Sequence, residues 1–536
     1  MSLNTYDELS INTTPELVFG LVGPIGVDIA EVQNKLRDAL TAVKYLPVEI
    51  RATDLMREIK TDVSIVDDMG PLEYYTSRMD YANAVRKKCA DNSALAALSI
   101  LAIKNFRSET HSKNKPRPID ERNISPLDTP LPSTAYIIRQ FKTKEEITLM
   151  RAVYGKKFIQ ISVHATDESR INKIVNDINL RTAGVSADDV EDIARALIKR
   201  DENEKDEVNG QRLGKIFHLG DVFVDGTSEA SITKTVTRFI NAFFGKNSIS
   251  PSRDEYGSYI AASAALRSLD TSRQVGAAIF SKNGEIITMG SNEVPKFGGG
   301  TYWGDDENPH RDFDDKRMPN YVRKNRMFHD ILSKLRGAGH LKIEPSSDTE
   351  KTNHSEEQKD PLIEIMNDEV FDQALINDIT EFGRMTHAEM NAITDAARLG
   401  RSLKNSTLFG TTFPCHNCAK HIVASGIDRV VFIEPYPKSQ ALPLNGDSIT
   451  LDSKDQNKVV FCNFVGISPM RYRDIFEKGK RKSKSGRFKE WYEDAPRPRV
   501  LDRGAGYVLN ESSAILRSLS KVEDEIVIRE NPKEDN

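Results

Sequence analysis

The sequence predicts an α/β protein of two domains, each with a sheet covered by helices. Three observations lead there. The 536 residues exceed a single core of about 100–200 residues. In the first half, short apolar runs alternate with helical patterns, which implies a mainly parallel sheet. In the second half, a hairpin signal is followed by helix, strand, helix and strand from Thr386 onward. The expected division is residues 1–248 and 249–536. The second part carries an insertion at about 296–380 and ends in a basic tail.

The first domain opens with LVFGLV (Leu17 to Val22), a run apolar enough for a strand buried on both faces. Gly23, Pro24, Ile25 and Gly26 follow, and a helical pattern starts near Asp28. Strand, glycine turn and helix is the layout of a phosphate-binding loop. The positions after the last glycine hold Val27 and Asp28 where such a loop carries Lys and Ser or Thr. Gly23 and Gly26 are therefore candidates for cofactor contact, and a tight structural turn is the competing reading. Further strands are expected at Tyr45–Ile50 and Ala135–Gln140, with helices at Tyr81–Phe106 and Lys144–Tyr154. Arg78, Asp80, Asn83 and Arg86 recur at helical spacing and read as a solvated face or the wall of a nucleotide pocket.

The second domain starts with a helix from Asp254 to Leu269. Two apolar runs, Val275–Phe280 and Ile286–Met289, flank Asn283-Gly284, a strong hairpin signal. After the insertion come HAEMNAITDAARL, closed by Gly400, then STLFGTTF, CAKHIVASG and DRVVFIEP.

Composition narrows the class. Apolar content of 38% and charged content of 29% fit a globular chain. The net charge of −5 argues against a dedicated duplex nucleic-acid binder, which needs a broad basic face. No run approaches the roughly 20 apolar residues of a membrane span. The four cysteines make no disulfide framework, and a reducing cytoplasm is expected. Cys89 and Cys462 are isolated; Cys415 and Cys418 form a C-x-x-C pair.

The chemistry concentrates in His387-Ala388-Glu389 and Pro414-Cys415-His416-Asn417-Cys418. Two thiolates and an imidazole suit Zn2+ and leave its fourth position open, as a catalytic site requires. Helix starts at both motifs would aim the ligands and favour thiolate over thiol. Glu389 lies two residues from a ligand and can shuttle protons without binding the metal. This H-x-E…P-C-x-x-C set resembles the zinc nucleobase deaminases. The resemblance makes His387, Cys415 and Cys418 the metal ligands and Glu389 the catalytic acid and base, with Ala388 beside the substrate.

Upstream, Arg267-Ser268-Leu269-Asp270, Gln274-Val275-Gly276-Ala277 and Asn292-Glu293-Val294-Pro295 resemble the deoxycytidylate deaminase family. That resemblance implies a three-layer α/β/α cytidine-deaminase fold, with Arg267 and Ser268 on the substrate phosphate and Asn292 on the sugar hydroxyl. A surface arginine and a turn asparagine are the plainer readings. Tyr436 is placed to pack on the base and Lys438 to meet a phosphate, or both belong to a surface turn.

The whole layout resembles the bacterial anti-phage dCTP deaminases, which join a degenerate P-loop, kinase-like domain to such a deaminase. This implies conversion of dCTP and dCMP to deoxyuridine nucleotides, starving phage DNA synthesis. It also implies restraint by a regulator, an inhibitory RNA among the candidates, and a nucleoside triphosphate with Mg2+ at the first domain. Assembly into a homo-oligomer is expected. The basic run Lys478 to Lys489 would meet RNA or a triphosphate, or stay a solvated face.

Two rivals share the motif. An RNA- or DNA-editing deaminase would use the same chemistry, but the Arg267–Asn292 pattern and the acidic balance favour a free nucleotide. A nucleotide-sensing regulator would bind ligand without turnover, and Glu389 would then have no task.

Overall fold

The structure is a computed structural model. It describes residues 13–67, 70–113, 126–181, 187–202, 204, 207, 209–316, 318–341, 361–366, 369–371, 374–379, 381–492, 495–500 and 506–525. Two compact units result: residues 1–256 with 464–536, and residues 257–463.

The first unit is built on six strands: β1 (Leu17–Val22), β2 (Leu46–Arg51), β3 (Thr134–Arg139), β4 (Phe158–His164), β5 (Val222–Asp225) and β12 (Gly466–Ile467). Their order is β12-β5-β4-β1-β3-β2. The first five run parallel, and β12 is antiparallel to β5. Every residue of β1 is buried, as its apolar run predicts. Val18 and Val22 enter one core with the helices Ala94–Lys113, Lys144–Tyr154 and Tyr507–Leu519. Leu17, Phe19 and Leu21 enter the other, with Ile29–Ala42 and Glu229–Phe243. Alternate residues of one strand thus serve two cores, because successive side chains point to opposite faces.

The helix expected over Tyr81–Phe106 is two helices, Pro71–Cys89 and Ala94–Lys113. Ala90 breaks it at φ +53, and the Asp91 carboxylate accepts from Ser93 N at 2.7 Å to start the second. Of the polar face expected on the first helix, Asn83 and Arg86 turn inward, while Arg78 and Asp80 stay partly exposed. Arg86 is fully buried; its Nη2 donates to Glu146 Oε1 at 3.0 Å and its Nη1 to Asn83 Oδ1 at 3.2 Å. Glu146 also closes the capping box of Lys144–Tyr154, so a buried ion pair here ties two helices together.

The chain's last stretch belongs to this unit, not to the second as expected. Arg107, fully buried on Ala94–Lys113, is the reason. Its guanidinium reaches Glu16 at 2.6 Å and Glu511 at 2.6 Å, and Tyr507 donates to Glu16 at 2.6 Å. One arginine joins the start of β1 to the C-terminal helix. Arg107→Met would leave two carboxylates buried without a cation. A loss of about 3–5 kcal/mol in urea unfolding of the first unit is expected.

The second unit holds β6 (Gly276–Phe280), β7 (Ile286–Ser291), β8 (Ser406–Thr412), β9 (Ile427–Glu434), β10 (Ile449–Thr450) and β11 (Val459–Asn463). The order is β10-β11-β9-β8-β6-β7. β6 is antiparallel to β7 and β8, while β8, β9, β11 and β10 run parallel. The Asn-Gly hairpin forms as read, with Gly284 at φ +100. The opening helix spans Arg253–Ala265 and stops short of the expected Leu269, because Ser268 turns away to bond Asn292. The insertion contains a helix, Pro319–Gly337; residues 342–360 lie outside the described residues.

Two glycines set the layers of this unit. A Cβ on Gly276 would stand 2.0 Å from Ala261 O, and one on Gly290 would stand 2.1 Å from Ala388 O. The helices Arg253–Ala265 and Ala388–Arg398 therefore touch the sheet through backbone. Ala277, paired with Gly290, shares the core of Ala388, Ala392 and Ala396. Adjacent residues of β6 face opposite ways, so the two helices cover opposite faces.

Among the described residues, no helix is long and apolar enough to cross a membrane.

Candidate metal centre and its surroundings

His387 is the N-cap of Ala388–Arg398, and Cys415 is the N-cap of His416–Ala424. Thr386, just before the first cap, pairs with Glu293 through both backbone groups, at 3.1 and 3.3 Å. The helix carrying His387 is stapled to β7. Thr288 Oγ1 donates to Ala392 O at 2.9 Å, and Asn391 Oδ1 accepts from Ser291 N at 3.2 Å.

His387 Nδ1 lies 3.3 Å from Cys415 Sγ and 3.4 Å from Cys418 Sγ. All three ligand atoms fall within 4.8 Å of one another. Glu389, only 4% exposed, sets Oε2 3.4 Å from Cys418 Sγ. The hydrogen bond from the Cys418 thiol, helped by the one with His387, holds the Cys415 thiol down to about 4. The same bond and burial push Cys418 well up, since two neighbouring thiolates repel. Cys415 raises His387 through its hydrogen bond. Burial, then the Cys415 charge, raises Glu389. A site that sets two sulfurs against each other and aims an imidazole nitrogen at both is matched to a divalent cation, which takes both thiolates at once. The residues fit Zn2+ with one position open.

The expected substrate contacts are arranged differently. Arg267 Nη2 donates to Thr301 Oγ1 at 2.6 Å and to the carbonyls of Thr301 and Tyr302, with the guanidinium 3.6 Å over the Trp303 ring. Ser268 Oγ donates to Asn292 O at 2.8 Å. Asn292 Oδ1 accepts from Val275 N at 2.7 Å, and its Nδ2 donates to Asp270 and Arg273 O, both at 2.9 Å. These three residues brace the turn 267–275 against the end of β7. The side chain of Ala388 is fully buried in the core, so that residue faces the site through backbone only. Lys438 is exposed, and Tyr436 carries the Arg273 guanidinium 5.3 Å from its ring centre.

Sequence reasoning missed four residues. Glu293 is completely buried; it accepts from Leu269 N at 3.2 Å and Val294 N at 2.9 Å, joining the brace to Thr386. Arg273 pairs with Glu434 at 3.0 Å beside Tyr436. Ser439 Oγ donates to Pro414 O at 2.8 Å, fixing the turn next to Cys415. Gly290 lets the His387 helix approach. Of these, a glycine inside a strand pattern was the readable signal, for it marks close backbone approach.

Residues 251–434, which hold these three ligand atoms and Glu389, match the family model described as the cytidine and deoxycytidylate deaminase zinc-binding region. Two of the similar proteins are phage enzymes. The chain is 48% identical over 54 residues to the deoxycytidylate deaminases of Enterobacteria phages T2 and T4, which is 10% of this chain and 29% and 28% of theirs. It is 31% identical over 90 residues to ComE operon protein 2 of Bacillus subtilis (strain 168), covering 15% of this chain and 48% of that one. The chain thus spans less than a third of the length of the phage relatives. A dCMP deaminase structure from cyanophage S-TIM5, in complex with dCMP and dUMP, is similar over 40% of this chain and 99% of its own, at 18% identity and a TM-score of 0.22.

Proposed function

We propose that this protein is a zinc-dependent hydrolase that deaminates deoxycytidine nucleotides, dCMP and dCTP, to dUMP and dUTP. One observation carries the reading: His387 Nδ1 and the sulfurs of Cys415 and Cys418 converge, with the buried Glu389 carboxylate against them. The zinc-binding deaminase match over residues 251–434 supports it. Zinc, when bound, supplies Lewis-acid activation of water near neutral pH. Glu389 takes one proton from the attacking water and passes it to N3 of the cytosine ring. It then delivers the water's second proton to the C4 amino group, which leaves as ammonia. Its burial beside the ligand sulfurs holds the carboxylate in place for both steps. Arg267, Arg273 and Lys438 are the cations proposed to meet the substrate phosphate, the first two by exchanging their present partners Thr301, Tyr302 and Glu434.

Draining dCTP in this way is the proposed role in phage defence. Product formation from dCMP, dCTP, CTP and deoxycytidine, with zinc measured in the same sample, tests the reaction. Deoxyuridine nucleotides are expected, and turnover of none of them would sink the reading. Cys418→Ser should carry less than a tenth of the wild-type zinc and form no product. Phage challenge of cells making wild type or an inactive variant tests the role: equal plaque counts would refute it.

A further inference from the structure

The residues proposed for the two ends of the substrate lie on separate segments of the second unit. Arg267 stands on the turn 267–275, and His387 caps the helix Ala388–Arg398. Both segments meet at Glu293, two residues past the end of β7. We propose that Glu293 is a positioning residue: it locks the turn 267–275 to the segment that delivers His387, and so fixes the distance between the substrate phosphate and the reacting ring. This role rests on a deoxycytidine nucleotide being the substrate.

Glu293 is completely buried. Its Oε2 accepts from Leu269 N, in the turn, at 3.2 Å, and its Oε1 accepts from Val294 N at 2.9 Å. Its backbone serves the other side. The N–H donates to Thr386 O at 3.3 Å, and the carbonyl accepts from Thr386 N at 3.1 Å, one residue before His387. One residue thus holds the phosphate-side turn through its side chain and the metal-side segment through its main chain. The hairpin that begins at Val294 leads back to the turn. Tyr302 N donates to Val294 O at 3.0 Å, and Arg267 Nη2 donates to the carbonyls of Thr301 and Tyr302. Burial pulls the Arg267 guanidinium down, and the Glu293 charge opposes it, so the carboxylate lies within electrostatic reach of that cation.

The residue type follows from the two amides. A carboxylate has two oxygens that only accept, so it satisfies both at once. Glutamine has one such oxygen and would turn its NH2 against the second amide, leaving a buried donor unpaired. With Leu269 or Val294 released, the turn is no longer fixed to the His387 segment. Binding energy gathered at the phosphate speeds the reaction only when a rigid frame carries it to the reacting group.

The test compares dCMP with deoxycytidine, which lacks the phosphate, on the full chain with rates taken per bound zinc. Glu293→Gln should lower kcat/KM for dCMP about tenfold more than for deoxycytidine. A merely structural role would lower both alike; an equal loss, or none, overturns the proposal. Where Glu293→Gln does not fold, Glu293→Asp, one methylene short of spanning both amides, serves the same comparison. Hydrogen exchange gives a readout that needs no turnover: residues 267–275 and 384–387 should lose protection together in the variant. Loosening of one segment alone, or of neither, overturns the proposal. If wild type turns over neither compound, the functional reading fails, and the exchange result still decides whether Glu293 joins the two segments.

Discussion

Glu389→Gln is expected to lose deamination by a factor of about 10² to 10⁴ or more while keeping its zinc, the range that positioned acid–base groups contribute. The reason is geometric. Glu389 is 4% exposed and its Oε2 stands 3.4 Å from Cys418 Sγ, so no solvent carboxylate can take its place. Glutamine keeps the shape and can still accept a hydrogen bond, but it cannot take a proton from water and return it. Metal content and melting temperature should match wild type. Full turnover by the variant would remove Glu389 from the reaction, and a loss of zinc would make it a ligand.

The second large effect is expected at a residue that has no side chain. Gly290→Ala places a methyl group where Ala388 O lies 2.1 Å and Ala392 N 2.6 Å away. Those are backbone atoms of the helix that carries His387 and Glu389, so the helix must move as a body. Overpacking of this kind costs about 1–3 kcal/mol or more. The catalytic cost is larger, since a displacement of about 1 Å at a reacting group can lower the rate some 10²-fold. Thermal melting and kcat, measured together, check it. Near-wild-type activity would mean that the helix is not held by this contact. Gly276→Ala, which meets Ala261 O at 2.0 Å on the opposite face, should lose stability while displacing no metal ligand directly.

What was legible in the sequence has a common character. The strand at β1, the Asn-Gly hairpin and the ligand motifs are local. Their signals are an apolar run, a turn chemistry and a spacing of two or three residues. Ala388–Arg398 and His416–Ala424 could be read because caps and periodicity lie within a dozen residues. Helix endings were less readable. Ala90 adopts a left-handed backbone that alanine disfavours, and its N–H closes the helix on Arg86 O and Lys87 O.

Polar residues were less legible for a related reason. Arg86 reads as a solvated cation in a helical pattern, but it meets Glu146, many residues away, and Arg107 likewise meets Glu16 and Glu511. Arg267 and Asn292 hydrogen-bond to residues that no local pattern links to them.

By itself, then, the sequence determined the α/β class and the candidate ligand set of His387, Cys415 and Cys418, because these depend on residue type and short spacing. The tertiary structure alone decided the rest. It returned the C-terminal helix to the first unit through Arg107, made Gly290 the seat of the His387 helix, and put Glu293 between Leu269 and Thr386. Each of these depends on which distant groups meet once the chain is packed. A buried charge or a missing Cβ has no meaning until its partner is in place.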